Sequence, residues 1–505
     1  MSVPVTVQRA LSLISRRQPN KVAVFWKDES LTYAQLDERS TRLAQGLLAL
    51  GVKKGDRLAV LLPNCPDYIV IAIACAKASI CMVPVNYRFT AAEVFQQIDD
   101  SGAKTIIYDQ QYFQIIDQAK LSDEVINICR GGSAPAKNLE ELITESSKSA
   151  IPMDATEDDL FYLGYTSGTT GKPKGAMVTQ RNRALAYHYW ALEFGITSED
   201  VSMQCGPFHH TAPFTFTLTQ LFMGGQVVIL DGFDAKAALL AIHQFAVTWS
   251  FMVPFMLDRV LEEKKTPIGN LNFQSLKMLI SGASALSTRT KDAIQEQFNG
   301  VGLHEFYGAT EAGVVTNLRP IDQSNKLRCV GQPIAEIEIQ IRGESTESLP
   351  QGEIGDIWLR GPTLFEGYFN APEKTAQVKV NDWCNLGDIG RVDQDGYLYL
   401  IDRRKDVIKS GGVNIYPIEI EEVILREATV QECAVVGFPD ERWGESTQAF
   451  IVTSEPIEQV KLRVQALCQE FLADYKRPRQ IHGVSSLPRN ANGKVLKRVL
   501  RETPT

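Results

Sequence analysis

The chain contains 505 residues, more than one ordinary hydrophobic core accommodates, so two or more domains are expected. Hydrophobic residues make up 44% of the chain and charged residues 22%, which is ordinary for a globular protein in water. The net charge of −8 argues against nucleic acid or an anionic membrane as the main partner.

The first part of the chain predicts alternating helices and strands. Apolar residues recur with a helical period over 33–50, and Gly51 follows as a C-cap. Beyond it, the patterns predict strands over 57–62, 82–85 and 105–108 and helices over 68–79 and 91–101. This alternation is typical of an α/β layer built on a mostly parallel sheet.

A second α/β run follows, with helices predicted over 183–193 and 235–245 and a strand over 226–230. After Cys329 the pattern changes to short strands separated by turns, such as 337–341 and 355–359. Asp395-Gly396 is a hairpin signal between predicted strands 390–392 and 397–401. These features predict a small β-rich subdomain.

The last hundred or so residues are enough for a small α+β domain. Helices are predicted over 417–427 and 460–473 and strands over 433–438 and 448–453. The fold class is therefore α/β, with a large N-terminal domain of two α/β subdomains plus a small β-rich subdomain. A small, mobile α+β C-terminal domain follows it.

Nine cysteines are scattered along the chain without C-x-x-C spacing, which is typical of neither a disulfide framework nor a zinc site. Residues 1–20 lack the apolar core of a signal peptide, and Lys77 interrupts the most apolar stretch, 68–85. We therefore expect free thiols, no integral membrane segment and a cytoplasmic location.

Residues 165–175 combine glycines, hydroxyl side chains and lysines directly after an apolar run. Glycine allows backbone N–H groups to approach an anion closely, and lysine adds positive charge. This chemistry favours a triphosphate-binding loop over a flexible linker. The segment is not a P-loop, because Pro173 follows Lys172 and the required glycine spacing is absent.

Further motifs follow this loop in a fixed order: Phe208-His209-His210, Tyr307-Gly308-Ala309-Thr310-Glu311, Asn385-Leu386-Gly387-Asp388, Asp402-Arg403-Arg404-Lys405-Asp406 and Pro488-Arg489-Asn490-Ala491-Asn492-Gly493-Lys494. Together with the loop they resemble the signature motifs of the adenylate-forming superfamily. That superfamily includes acyl-CoA synthetases, luciferases and the adenylation domains of peptide synthetases. The resemblance runs from roughly residue 23 to residue 501, nearly the whole chain.

The resemblance implies a site for ATP and Mg²⁺. The residues implied to bind the ATP phosphates are Thr166, Ser167, Gly168, Thr169, Thr170, Gly171 and Lys174. Those implied to bind adenine and ribose are Gly282, Ala283, Ser284, Phe306, Tyr307, Gly308, Asp388 and Arg403. Thr310 and Glu311 supply the hard oxygen ligands that Mg²⁺ prefers.

The resemblance also assigns catalysis and domain motion. Lys494 is implied to stabilise the transition state of adenylation, together with Thr310 and Glu311. His209 is implied to gate or line the carboxylate pocket, and a core or turn histidine is an equal alternative. Lys405 is implied to be the hinge between domains 1–404 and 405–505. Rotation about it would separate two half-reactions. Ser410, Gly411 and Gly412 would then border the pantetheine tunnel of CoA.

The implied activity is that of an acyl-CoA synthetase, which converts a carboxylic acid, ATP and CoA into acyl-CoA, AMP and pyrophosphate. The segment 208–222 is rich in Phe and Thr, which favours a mainly apolar acid, most simply a fatty acid. An aryl acid is an alternative. A dicarboxylate is another, for which Arg319 or Arg328 could supply the extra cation.

Other functions stay open at this stage. The enzyme could load a carrier protein instead of CoA, although no carrier domain is fused and 214–218 offers no Asp for an amino-acid ammonium group. A luciferase-like oxygenase is also compatible with the motifs. A nucleotide-binding protein without catalysis is disfavoured, because Glu311 and Lys494 are both present. The oligomeric state is expected to be a monomer or a homodimer.

Overall fold

A computed structural model of the protein describes residues 3–132, 136–151, 155–166, 173–326, 328–343, 347–489 and 495–502. The chain forms two compact units. Unit 1 comprises Met1–Glu338 and Arg360–Asp382, and unit 2 comprises Ile339–Leu359 and Trp383–Thr505. The predicted hinge at Lys405 and the domain boundary beside it stay predictions.

The helices are α1 Val7–Arg17, α2 Tyr33–Ala49, α3 Pro66–Ala78, α4 Ala91–Ser101, α5 Phe113–Ala119, α6 Leu139–Glu145, α7 Gln180–Phe194, α8 Thr211–Met223, α9 Ala235–Gln244, α10 Pro254–Lys264, α11 Thr288–Gln297, α12 Pro372–Val378, α13 Pro417–Ile424, α14 Ile457–Phe471 and α15 Lys497–Arg501. Short 3₁₀ turns occupy Gln110–Tyr112, Pro320–Asp322 and Asp474–Lys476.

The strands of the first half are β1 Val22–Trp26, β2 Glu29–Thr32, β3 Arg57–Leu61, β4 Cys81–Pro84, β5 Thr105–Asp109, β6 Ile126–Arg130, β7 Lys137–Asn138, β8 Leu160–Thr166, β9 Lys174–Thr179, β10 Val201–Gln204, β11 Gln226–Ile229, β12 Trp249–Phe251 and β13 Met278–Ser281. Those of the second half are β14 Gly302–Ala309, β15 Gly313–Leu318, β16 Gln332–Pro333, β17 Glu338–Arg342, β18 Gly355–Arg360, β19 Gly367–Tyr368, β20 Lys379–Val380, β21 Trp383–Val392, β22 Leu398–Arg403, β23 Ile408–Ser410, β24 Val413–Ile415, β25 Val430–Asp440, β26 Gly444–Thr453 and β27 Gln480–Gly483.

Unit 1 is built on two largely parallel sheets. One has eight strands in the order β19-β9-β8-β4-β3-β5-β6-β7, and the other has nine in the order β16-β15-β14-β13-β12-β10-β11-β1-β2. Strands β3, β4, β5, β6 and β8 run parallel in the first sheet, as do β1 and β10 to β14 in the second. These two sheets confirm the prediction of two α/β subdomains.

Local sequence accounts for many helix ends in unit 1. Helices α2, α4 and α7 each begin with a capping box, in which a threonine side chain and the residue three positions later exchange hydrogen bonds. Gly102, Gly195 and Gly224 end α4, α7 and α8 in the left-handed conformation that glycine adopts without strain. Helix α3 is buried on all sides, which explains its continuous apolar sequence.

Unit 2 holds the predicted β-rich and α+β parts. In it, β21 pairs antiparallel with both β18 and β22, and Asp395-Gly396 forms the predicted turn between β21 and β22. A second sheet has the order β24-β23-β26-β25, with β27 parallel to β26. Helices α13 and α14 pack on it around a core that includes Ile408, Ile451 and Val464.

All nine cysteines are free, and eight of them are buried. Burial is the first cause that raises the pKa of the Cys65, Cys81 and Cys205 thiols to about 12, so they stay protonated and unreactive at neutral pH. Within the described ranges, no helix has both the length and the apolarity that a membrane span requires.

Candidate active site

Several of the predicted site residues of unit 1 lie at the carboxyl ends of parallel strands. Thr166 ends β8, and His209 follows β10. Gly282 follows β13, and Thr310 and Glu311 follow β14. In open α/β sheets, the carboxyl ends of the strands form the crevice in which ligands bind. In both sheets, residues from distant parts of the sequence therefore lie at the carboxyl ends of the strands.

Glu311 is the centre of a polar cluster that joins the ends of β8 and β14 with β19. Its side chain is 8% exposed, and its Oε1 accepts hydrogen bonds from Thr166 Oγ1 at 3.3 Å and Tyr368 Oη at 2.9 Å. Among the described residues, Oε2 has no hydrogen-bond partner. The carboxylate is thus held in place by neutral donors that leave one oxygen available to a cation.

Thr310 joins the same site through a second threonine. Its Oγ1 lies 3.2 Å from Thr211 Oγ1, which in turn lies 3.4 Å from Tyr162 Oη. Gly164 packs so closely here that an added Cβ would lie 2.6 Å from the Thr310 methyl group. Thr310 therefore has a position defined by both sheets.

The turn that carries Thr310 and Glu311 depends on two glycines. An added Cβ on Gly308 would lie 2.1 Å from the carbonyl oxygen of Gly313, and Gly313 has φ of +74°. The Ala312 N–H donates to the Ala309 carbonyl across the turn. Because only glycine fits both positions, the motif's glycine is required by this backbone approach.

Lys174 brings positive charge to the same cluster. It pairs with Thr166 across β8 and β9, and its Nζ lies 4.9 Å from the centroid of the Tyr368 ring. Burial, with a contribution from the nearby Lys374, lowers the Lys174 pKa, although the Glu311 carboxylate acts in the opposite direction. Its ammonium group makes no ion pair within 4 Å in the described ranges, so its charge is available to an anion.

The predicted loop residues Ser167, Gly168, Thr169, Thr170 and Gly171 lie outside the described residues, and so does Lys494. Their assigned contacts stay predictions. The flanking residues Thr166 and Lys174 are directly paired, which places both ends of the loop beside Glu311.

His209 lies in an aromatic environment beside His210. Its ring is edge-to-face with Tyr87 at 4.8 Å and with His210 at 4.2 Å between centroids, and its buried Nδ1 has no hydrogen-bond partner in the part of the chain that the structure describes. Burial, followed by the His210 and Arg88 charges, lowers the His209 pKa to about 2. Burial and Arg88 lower that of His210 to about 4. Both imidazoles are therefore neutral at physiological pH.

The residues predicted to wall the adenine site occupy the ends of β13 and β14. Gly282 packs on Phe306, since an added Cβ would lie 2.6 Å from that ring, and Ala283 and Ser284 are exposed. Glu305 orders the loop, because its Oε1 accepts from the Leu286 N–H at 3.2 Å. Tyr307 is half-buried and pairs with Thr316 across β14 and β15.

In unit 2, the structure brings Asp388 and Arg403 together. They are partners across β21 and β22, and Arg403 Nε lies 3.0 Å from Asp388 Oδ1. Gly387 has φ of +83°, and its carbonyl accepts from the Arg404 N–H. The pairing matches the predicted ribose site in composition, and the binding role stays a prediction.

Lys405, Gly411 and Gly412 of unit 2 lie in turns, and Ser410 ends β23. Lys405 is exposed between β22 and β23. Gly411 and Gly412 form a two-residue hairpin between β23 and β24, both with positive φ, which is the geometry of the turn favoured there. The hairpin alone therefore accounts for both glycines, and the role of Ser410, Gly411 and Gly412 in binding CoA stays a prediction.

Sequence reasoning missed Tyr368, Thr211 and Tyr162. None belongs to a recognised motif, and each reaches the site only because the sheets bring its segment there. It also left Arg319 open as a cation for a dicarboxylate. The structure binds Arg319 to Glu193 through two hydrogen bonds of 2.8 and 3.1 Å, beside the amino end of β14 rather than its carboxyl end.

The chain belongs to the AMP-binding enzyme family. The family model described as AMP-binding enzyme matches residues 12–369, and that of the AMP-binding enzyme C-terminal domain matches residues 419–494. These matches define an adenylate-forming enzyme, and the chain is an acid–thiol ligase of this class.

Several characterised relatives are similar over nearly the whole chain. A feruloyl-CoA synthase from Amycolatopsis sp is 34% identical, with 96% of each chain covered. The fatty acid–[acyl-carrier-protein] ligase ScoC from Streptomyces coeruleorubidus is 31% identical, covering 98% of this chain and 96% of ScoC. The o-succinylbenzoate CoA synthetase structure from Bacillus subtilis with ATP and magnesium has a TM-score of 0.87, 30% identity and coverage of 97% and 98%.

Proposed function

We propose that the chain is an AMP-forming acyl-CoA synthetase acting on a mainly apolar carboxylic acid, most simply a fatty acid. Its first half-reaction joins the acid to the α-phosphorus of ATP and releases pyrophosphate. Its second transfers the acyl group to the thiol of CoA and releases AMP. The observation that carries the proposal is the cluster of Thr166, Lys174, Thr310 and Glu311 at the strand ends of unit 1.

The donor set fits Mg²⁺, which when bound would neutralise phosphate charge during the attack of one anion on another. Glu311 Oε2 and the Thr310 hydroxyl are the hard oxygen atoms that would hold it. The complex of the Bacillus subtilis relative with ATP and magnesium supports this choice of cation.

The chain's own residues would handle the nucleotide. The ammonium group of Lys174 has no ion-pair partner in the described ranges, so it is available to the leaving phosphates. Asp388 offers carboxylate oxygens to the ribose hydroxyls, and Arg403 fixes that carboxylate by its ion pair. Lys494 would place a further positive charge at the reacting phosphate and carboxylate.

The side chains around the predicted acyl pocket support an apolar acid. Phe216, Phe251 and Phe306 form a buried aromatic cluster with centroid separations of 5.2 to 5.8 Å. His209 and His210 are neutral, so they would not repel an apolar chain. The bidentate pairing of Arg319 with Glu193 disfavours the dicarboxylate alternative that depends on Arg319.

An aryl acid is the second candidate. Buried phenylalanines accept an aromatic ring as readily as an alkyl chain. The feruloyl-CoA synthase from Amycolatopsis sp, at 34% identity, supports this candidate. The ScoC ligase likewise supports an acyl-carrier protein as an alternative thiol acceptor.

Pyrophosphate release by the purified chain with Mg-ATP tests the proposal. The panel pairs fatty acids of graded length with aryl acids of similar size, including ferulate, each with CoA, with a phosphopantetheinylated carrier protein or with neither. Release that requires a fatty acid and CoA is expected. Preference for an aryl acid or for the carrier protein would select that alternative, and no release with any acid would contradict the proposal.

A further inference from the structure

Arg183 is a buried cation without an acidic partner among the described residues. It lies in α7, its residue is only 4% exposed, and no carboxylate in the described ranges lies within ion-pair distance. Lys77, also buried in unit 1, shows the usual arrangement, because its Nζ binds Asp37 Oδ1 at 2.7 Å. Burying a charge without such a partner is costly, so the guanidinium requires another explanation.

The contacts of Arg183 are with neutral groups. Its Nη1 donates to Thr215 Oγ1 at 2.9 Å, and its guanidinium lies over the Tyr162 ring, 5.2 Å from the centroid. A leucine could fill similar space, but it could make neither contact. The side chain therefore connects β8, which carries Tyr162, with α8, which carries Thr215.

Both neighbours of Arg183 contact Thr211. Thr215 Oγ1 donates to the Thr211 carbonyl at 2.6 Å, and Tyr162 Oη lies 3.4 Å from Thr211 Oγ1. Thr211 Oγ1 then lies 3.2 Å from Thr310 Oγ1. A continuous series of contacts thus runs from Arg183 to the threonine beside Glu311.

We propose that Arg183 is a positioning residue for adenylation. It fixes the first turn of α8 through Thr215 and fixes Tyr162 through its ring, so that Thr211 holds Thr310 in the orientation that binds the metal and phosphates. This role rests on the proposed function. Small displacements of positioning groups cost catalysis steeply, because reacting atoms must be held in a narrow geometry.

The test uses three variants, Arg183→Leu, Thr215→Val and the double variant that combines them. Each is compared with the control variant Arg181→Leu. Arg181 is a matched control, because it lies in the same helix with its side chain 44% exposed and paired to Glu157. The readouts are acid-dependent exchange of pyrophosphate into ATP, the Mg²⁺ concentration for half-maximal exchange, and thioester formation from supplied acyl-adenylate.

Arg183→Leu is expected to lower exchange about 10-fold and to raise the required Mg²⁺ several-fold, with thioester formation unchanged. Thr215→Val is expected to change both quantities in the same direction but less. The double variant is expected to lose no more exchange activity than Arg183→Leu, because both substitutions remove the same Arg183–Thr215 contact. Arg181→Leu is expected to match the wild type. Thr215→Val, which removes one hydroxyl, keeps the test decisive if Arg183→Leu folds poorly.

Additive losses, or equal losses in both half-reactions, would overturn the positioning role and indicate a general structural one. Normal exchange by Arg183→Leu or by Thr215→Val at wild-type Mg²⁺ dependence would overturn it as well. No exchange by the wild type with any acid would instead overturn the proposed function, and this inference with it.

Discussion

The two compact units hold some of their charged side chains in different ways. In unit 1, Glu311 is held by the hydroxyls of Thr166 and Tyr368, and Arg183 by a hydroxyl and a ring. In unit 2, cations meet carboxylates directly: Arg403 binds Asp388, Lys497 binds Glu421, and Arg404 binds Asp356. These two charges of unit 1 are held by neutral groups, although unit 1 also contains ion pairs such as Lys77–Asp37, whereas these cations of unit 2 are paired with carboxylates.

The difference indicates where ligand charge is expected. A carboxylate held by neutral donors, as Glu311 is, is oriented without being neutralised, so it can interact with an incoming cation. Paired charges mainly stabilise and orient one another. In unit 2, burial lowers the pKa of Lys497, but the carboxylates of Glu421, Asp402 and Asp406 raise it by more than burial lowers it. The pKa of Lys497 is therefore raised, and its side chain stays charged.

The largest expected effect tests whether unit 2 also supplies an uncompensated charge. Lys494→Ala should lower acyl-adenylate formation by a factor on the order of 1,000, because a positive charge is lost at the transition state. Thioester formation from supplied acyl-adenylate should be spared. Single-turnover assays of each half-reaction measure both rates, and equal loss in both would contradict the assigned role.

Glu311→Gln tests the uncompensated carboxylate of unit 1. The amide oxygen can still accept from Thr166 and Tyr368, so the fold should persist, but the charge that would bind Mg²⁺ is lost. Exchange of pyrophosphate into ATP should fall about 100-fold. Tyr368→Phe is the matched control and should cost only a few-fold. Similar losses in the two variants would assign the cluster a structural role.

Lys405→Pro tests the predicted hinge. The Lys405 backbone N–H makes no backbone hydrogen bond in the described ranges, so proline removes no such bond and mainly restricts φ. Thioester formation should fall about 10-fold, while adenylation changes little. Lys405→Ala, which keeps backbone freedom, should behave like the wild type. Unchanged half-reactions in the proline variant would place the hinge elsewhere.

The smallest expected effect concerns the neutral histidines of unit 1. The folded-state pKa of His209, about 2, is below the unfolded value of about 6.5. Its contribution to stability is therefore present above pH 6.5 and is lost as the pH falls toward the folded pKa. At pH 5 this loss is at most about 2 kcal/mol.

His209→Asn should therefore reduce the fall in Tm between pH 7 and pH 5 by several degrees. Thermal unfolding at both pH values measures it, with His243→Asn as the control because His243 is exposed. An unchanged fall in Tm for His209→Asn would show that the imidazole is not held neutral.

Local sequence determined much of the fold. Helix α4 spans Ala91–Ser101 as predicted, because the capping box at Thr90 and Glu93 and the glycine at 102 mark both ends. The predicted strand is shorter than the observed one where pairing extends it: β25 spans Val430–Asp440, whereas the sequence pattern predicts a strand over 433–438. Strand length there depends on hydrogen bonds to β26, which the local pattern does not contain.

The sequence by itself also determined the family, the order of its motifs and the two α/β layers, because glycine turns, caps and apolar periodicity act over short stretches. Only the tertiary structure decided that Tyr368 and Thr166 hold Glu311, that Arg319 is bound by Glu193, and that Arg183 contacts Thr215 and Tyr162. These contacts join residues far apart in the chain. Their identity depends on how two sheets bring strand ends together, and no local pattern records that arrangement.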